Sequence, residues 1–322
     1  METPFLDAVE LFSGVGGWHH AILQAGLPVR IVAAYDSNEK ANIAYFETFS
    51  HKPVATDLAL LSASKLASFA VWLASPPCQP FTQGGSRLDH KDNRSAAILH
   101  LIDLIDSGQA MPSLLALENV PLFRESQCRD LLIGALEKQG FSFQEYVVSP
   151  DELCQIPNRR LRYYLVASKE AKQFPKVIEP WTPECQIPSL RAFLGNCLAS
   201  PEEEQDLALP ESWTAKKSGF RFHCVSLDRP GSVTQCMTKA YFENKNSGGS
   251  YVRRDLNDAD PVCESEIEGM RLRFLSRAEA RCLMGFPRLK QEWSVGVKSG
   301  YRLIGNSLNV TVTAHILKLL FK

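Results

Sequence analysis

A chain of 322 residues, 45% hydrophobic and 22% charged, has the composition of an ordinary globular protein with room for more than one core. Its 35 Lys+Arg against 36 Asp+Glu leave a formal charge of -1, so a nucleic-acid partner has to be met by a local basic face. Nine cysteines, odd in number and without a Cys-x-x-Cys pair, argue against a disulfide framework and against structural zinc; no metal is expected. Met1-Glu2-Thr3-Pro4 lacks the basic and apolar regions of a signal peptide, and no apolar run is of membrane-spanning length, so the expected compartment is cytoplasmic.

Residues Ala8-Val9-Glu10-Leu11-Phe12 predict a strand, followed by the glycine-rich turn Ser13-Gly14-Val15-Gly16-Gly17 and a helix over 18–25. Such a turn lets backbone approach a ligand, or is simply tight. A third dinucleotide glycine is missing, since His19 stands there, which argues against NAD or FAD. A second strand over 29–35 ends in Asp36, placed to take the hydroxyls of a ribose or to cap the helix over 39–49 together with Ser37 and Asn38. Asp57 is a further polar candidate. A ribose-bearing cofactor without the pyrophosphate pattern points to S-adenosylmethionine.

The apolar run Phe69-Ala70-Val71-Trp72-Leu73-Ala74 predicts a short buried strand that stops at Ser75-Pro76-Pro77-Cys78-Gln79-Pro80-Phe81. Two prolines stiffen the exit and hold Cys78 where open α/β sheets place their ligands. The alternative is a buried cysteine that fills a loop. The segment from Thr82 to Arg94, with Gly84-Gly85, suits a flap. Ile98, Leu101, Ile102 and Ile105 recur at helical spacing and predict core, with Ser95 as the cap.

Leu114-Leu115-Ala116-Leu117 delivers Glu118-Asn119-Val120, an acid at the end of a wholly apolar strand. Burying it is costly unless it is paired or protonated, so it marks a functional site or a helix cap. A helix over 126–139 and strands over 145–148 and 161–167 follow. Between the strands, Arg160 and Arg162 would share one strand face and suit a carboxylate, phosphate or base edge.

From Lys169 to about Leu272 the chain turns rich in Pro, Ser, Glu and Gly. Lys216, Lys217, Arg221, Lys239, Lys245, Arg253 and Arg254 alternate there with Phe220, Phe222, Tyr241, Phe242 and Tyr251, a pattern that suits single-stranded nucleic acid or any loop-rich surface. Ser276 and Glu279 form a capping-box spacing, and Gly285-Phe286-Pro287 ends that helix. After Gly305-Asn306-Ser307 a last helix runs to Phe321.

Together these segments resemble the DNA cytosine-5 methyltransferase family. The turn at 10–17 is similar to its cofactor motif, 75–81 to its nucleophile loop and 118–120 to its acid motif. Arg160 and Arg162 fall on its paired arginines, 273–287 on the motif flanking its recognition region, and Gly305-Asn306-Ser307 on its closing motif. They occur in the family's order. Cys236-Met237-Thr238-Lys239-Ala240-Tyr241 resembles the Cys-Phe-Thr signature of the branch that methylates transfer RNA, with Met237 in place of Phe.

The resemblance implies a doubly wound, mostly parallel α/β sheet, with a catalytic domain over 1–172 and 290–322 and a small irregular recognition domain over 173–289. It implies Cys78, Glu118, Arg160 and Arg162 as catalytic residues. Phe12, Ser13, Gly14, Gly16, Gly17, Asp36, Asp57, Asn306 and Ser307 would hold S-adenosylmethionine, and Lys239, Tyr241 and Arg94 would meet the substrate. That substrate is an anticodon-loop cytosine of an aspartate- or glutamate-accepting tRNA, or alternatively duplex DNA; a silent nucleic-acid-binding relative is the third reading. No membrane and no obligate protein partner are implied.

Overall fold

The computed structural model describes residues 4–81, 89–180, 186–214, 223–244, 247–253 and 272–321. Residues 82–88 of the expected flap over 82–94 and the residues Lys216, Lys217, Phe220, Arg221, Phe222, Lys245 and Arg254 lie outside them. No helix among the described residues is long and apolar enough to cross a membrane.

The chain divides into two compact units: 1–148 with 161–178 and 310–322, and 149–160 with 179–309. The expected boundaries shift accordingly. The segments 149–160 and 290–309 belong to the second unit, because Asn158 and Arg159 bond to Thr234 and Asn309 bonds to the Leu283 carbonyl.

The first unit is built on six strands: β1 Leu6–Leu11, β2 Val29–Tyr35, β3 Val71–Ala74, β4 Leu114–Asn119, β5 Ser142–Val148 and β6 Arg162–Ser168. Their order is β2-β1-β3-β4-β6-β5; β1 to β4 run parallel and β6 is antiparallel to both its neighbours. All six residues of β4 and all four of β3 are buried, as central parallel strands covered on both faces must be. On one face Trp72, Leu115, Leu117, Tyr163 and Leu165 join Ile98, Leu101, Ile102 and Ile105 of the helix Ala96–Asp106 and Leu132 and Leu136 of the helix Gln127–Lys138. The helices Gly17–Ala25 and Val310–Leu320 pack together on the other face, where Thr313 meets the Tyr164 hydroxyl at 3.2 Å.

Of the cap candidates Asp36, Ser37 and Asn38, the structure uses the last, and the helix expected from 126 starts one residue later. Asn38 caps Glu39–Phe49 by accepting from the Lys40 and Ala41 amides, and Ser126 caps Gln127–Lys138. Ser95 stands at the predicted cap, but its hydroxyl donates to the Asp89 carbonyl at 2.7 Å and caps nothing.

The second unit carries three short strands, β7 Cys224–Val225, β8 Tyr251–Arg253 and β9 Leu272–Arg273. The capping box at Ser276 and Glu279 is present on the helix Arg277–Leu283. Its Glu279 carboxylate also takes both Nη atoms of the fully buried Arg273, at 2.8 and 2.9 Å. Tyr241, Phe242 and Tyr251 stack among themselves and against Phe274 and Tyr301. They are therefore the core of this unit rather than a platform for bases. A unit with few aliphatic layers buries rings instead.

The helix Val297–Asn306, not among the elements expected from the sequence, carries Gly300 and Gly305 in its interior. A Cβ at Gly305 would stand 2.5 Å from the Thr238 carbonyl, so that glycine is there for the approach of another backbone.

Removing one partner of a buried ion pair costs about 3–5 kcal/mol. Arg273→Ala is therefore expected to lower the urea midpoint markedly. Arg30→Ala, which breaks an exposed pair with Asp7, should leave the midpoint in place.

Candidate active site and cofactor loop

β1 ends at Leu11 and the backbone turns at once. Phe12 adopts φ 56°, a left-handed conformation that costs a non-glycine residue roughly 1–3 kcal/mol and tends to be kept where function needs it. The Gly16 amide then closes a turn onto the Ser13 carbonyl at 2.9 Å. Gly16 itself has φ 82°, and a Cβ there would stand 2.3 Å from Phe49 Cε2. Only glycine lets the loop lie this close to the helix Glu39–Phe49.

The Gly14 and Asn38 amides both donate to the Asp36 carboxylate, each at 2.8 Å. Burial raises the Asp36 carboxyl above its ordinary value, and these two donors oppose the rise. A carboxylate has about four acceptor positions, so two remain for a ligand's hydroxyls. The Ser13 hydroxyl is buried with no hydrogen-bond partner in the protein. A buried acceptor-donor and a half-engaged carboxylate at the same strand ends fit a ribose-bearing cofactor. Asp57 is different: it is exposed, and its carboxylate accepts from the Ala59 amide at 3.0 Å as the cap of a short 3-10 turn.

Beneath the loop, Glu10 is fully buried. Its carboxyl takes the Trp18 amide and the Tyr45 hydroxyl, each at 3.0 Å, and Tyr45 meets His19 Nδ1 at 2.9 Å. Burial pushes Glu10 up to about 8 and His19 down to about 4, so at neutral pH both are uncharged. The sequence offered no hint of this, since a glutamate in an alternating strand reads as surface.

The second cluster lies at the same strand ends. Ala74 of β3 pairs with Leu117 of β4, so Cys78, which follows β3, and Glu118, the next-to-last residue of β4, both lie at the carboxyl ends of adjacent parallel strands. Cys78 is half-buried and its carbonyl accepts from Phe81 at 2.9 Å, starting the 3-10 turn Gln79–Phe81. Phe81 is anchored edge-on to Phe123. Asn119 ties this loop to the acid: its Nδ2 donates to the Pro76 carbonyl at 3.2 Å while its Oδ1 accepts from Val120 at 2.8 Å. Antiparallel β6 begins where β4 ends, which sets Arg162 Nε 3.4 Å from Glu118 Oε1.

Arg94 is held bidentately by Asp92, at 2.9 and 2.6 Å. That pair raises its pKa, and the Cys78 charge adds to the effect.

Arg160 does not share a strand face with Arg162. It precedes β6, is 2% exposed, and its guanidinium bonds the carbonyls of Met237, Gly305 and Ser307 and the Cys236 sulfur. Asn306 is exposed at the end of its helix, and Ser307 follows it as the cap. Lys239 is exposed in the same unit. Tyr241 is fully enclosed, its hydroxyl donating to the Ser250 carbonyl at 2.6 Å and accepting from Leu275 at 3.0 Å, so it is a core residue and not a substrate contact.

Residues 6–322 match the family described as C-5 cytosine-specific DNA methylase. The chain belongs to that family. A tRNA (cytosine(38)-C(5))-methyltransferase of Schizosaccharomyces pombe is 32% identical, over 100% of this chain and 98% of its own length. A DNA (cytosine-5)-methyltransferase of Dictyostelium discoideum is 29% identical, over 98% and 94%. Among solved structures, S. pombe Dnmt2 methyltransferase superimposes with a TM-score of 0.84 at 29% identity, covering 98% of both chains. The mostly parallel sheet expected from the sequence is that of these methyltransferases.

For Glu10 the sign of the pH effect follows from its two values. The unfolded side chain ionises near 4.5 and the folded one near 8, so between them the folded protein keeps a proton that the unfolded chain has released. Stability therefore falls as pH rises through that window. Glu10→Gln is expected to flatten the decline in urea midpoint between about pH 5 and 8. Parallel slopes in the two proteins would show that Glu10 is ionised throughout.

Proposed function

We propose that this cytosine-C5 methyltransferase acts on a tRNA, at an anticodon-loop cytosine of an aspartate or glutamate species, through a covalent Cys78 adduct. The observation that carries the mechanism is the Glu118–Arg162 pair, set beside the Cys78 loop by Asn119. The tRNA reading is supported by the activity for which relatives aligned over nearly their full length are named and by Cys236-Met237-Thr238.

Cytosine C5 is too weak a nucleophile to take a methyl group unaided. Addition of the Cys78 thiolate to C6 opens the C5–C6 double bond and moves its electron pair to C5, splitting one hard step into easier ones. Glu118, oriented by Arg162, protonates N3 or donates to it and so holds the adduct. Ser13, Gly14 and Asp36 would hold S-adenosylmethionine, which would supply the electrophilic methyl group to C5 and leave as the neutral thioether S-adenosylhomocysteine. Loss of the C5 proton to a base then restores the double bond and expels Cys78. Arg160, through its bonds to Met237, Gly305 and Ser307, shapes the segment bearing Cys236 and Lys239 rather than touching the base. A base in a loop leaves its stack for less than one in a duplex, where the cost is a few kcal/mol, and this favours RNA.

Duplex DNA stands second, because one full-length relative carries that activity in its name and Met237 departs from the RNA-branch signature. Incubation with tritiated S-adenosylmethionine and either total tRNA or duplex DNA is expected to label the tRNA. Label only in DNA selects the second reading, and label in neither selects the silent relative. Cys78→Ala is expected to abolish transfer while cofactor binding persists, and full turnover would remove the nucleophile assignment. Glu118→Gln should lose at least about 100-fold in rate, the range of a positioned proton donor, with little change in RNA affinity.

A further inference from the structure

Trp18 is the second residue of the helix that follows the glycine loop, and it is 1% exposed. Its two N–H groups go to different strand ends. The backbone amide donates to Glu10 on β1, and the indole Nε1 donates to the Ser75 hydroxyl at 2.9 Å. Ser75 is the first residue after β3 and stands three residues before Cys78. Its own amide donates to the Leu11 carbonyl at 3.3 Å, so the start of the nucleophile loop is held twice to the structure around the glycine turn.

Pro76 and Pro77 have no amide hydrogens, so the stretch between Ser75 and Cys78 cannot anchor itself through backbone donors. Its position is imposed from outside, by Trp18 at Ser75 and by Asn119 at the Pro76 carbonyl. A phenylalanine would fill the same apolar space as Trp18. The indole N–H is needed only if its bond matters.

We propose that Trp18 is a positioning residue for the reaction, its indole N–H holding the Ser75 hydroxyl so that the Cys78 loop keeps a fixed place relative to the cofactor loop. This rests on Cys78 being the nucleophile. The consequence is specific to alignment: the cofactor and the RNA bind as before, and the sulfur meets C6 less often in productive geometry.

Trp18→Phe removes the donor and keeps a ring; Ser75→Ala removes the acceptor; the double variant closes the cycle. Each single change is expected to lower kcat about 5- to 20-fold, less than the ~100-fold that a 1 Å misplacement can cost. The KM values for S-adenosylmethionine and tRNA should stay within about twofold, and the double variant should be no slower than the slower single one, as removal of one shared bond requires. A second readout needs no turnover. Alkylation of Cys78 by iodoacetamide in the free protein, followed by peptide mass spectrometry, should be about threefold faster or more in both variants, because a loosened loop exposes a half-buried thiol.

Unchanged kcat in both single variants overturns the inference. So do losses that multiply in the double variant, a change confined to KM, or unchanged alkylation rates. Should Trp18→Phe fail to fold, Ser75→Ala alone carries both readouts. The nucleophile assignment is separable: active Cys78→Ala removes it whatever Trp18→Phe does, whereas inactive Cys78→Ala beside fully active Trp18→Phe and Ser75→Ala overturns only the role of Trp18.

Discussion

A carboxyl group at the end of a strand buried along its whole length has to be paired or protonated, and for Glu118 the sheet supplies a pair through a change of strand direction. β4 is enclosed on both faces, and Glu118, 8% exposed, sits near its carboxyl end. Had β6 run parallel, its first residue would lie at the opposite edge of the sheet. Because it is antiparallel, Arg162 starts where Glu118 finishes, and the two meet at 3.4 Å. Burying one of these charges without the other would be far more costly than burying both. The acid motif, the arginine and the direction of β6 are thus one requirement.

The same strand ends hold a second arrangement of buried polar groups, and it works by neutrality rather than pairing. Glu10 and His19 are both pushed by burial toward their uncharged forms, and Tyr45 bridges them. Asp36 keeps the glycine loop and the helix cap on one carboxylate.

The second unit is assembled on different terms. Its described residues form a sheet of three short strands, and its interior combines stacked rings with the buried Arg273–Glu279 pair. Arg160, which the alternation of a strand would have sent toward the acid, turns instead to three carbonyls on two segments of this unit, at Met237 and at Gly305 and Ser307. Its two Nη groups reach carbonyls that no regular ladder serves, a use for which guanidinium is well suited.

What the sequence determined by itself was local. Apolar runs placed the strands of the first unit, Asn38 among its neighbours and Ser276 with Glu279 announced their helices, and the prolines beside Cys78 marked the loop, because each depends on neighbours within a few residues. The tertiary structure alone decided which arginine meets Glu118, that Tyr241 is core, that Ser95 serves Asp89 instead of its helix, and that Trp18 reaches Ser75 across 57 positions. Those outcomes depend on strand direction and on which backbones approach one another. Hydrophobic period carries no information about either, since a residue's pattern says which face it occupies and not what lies opposite.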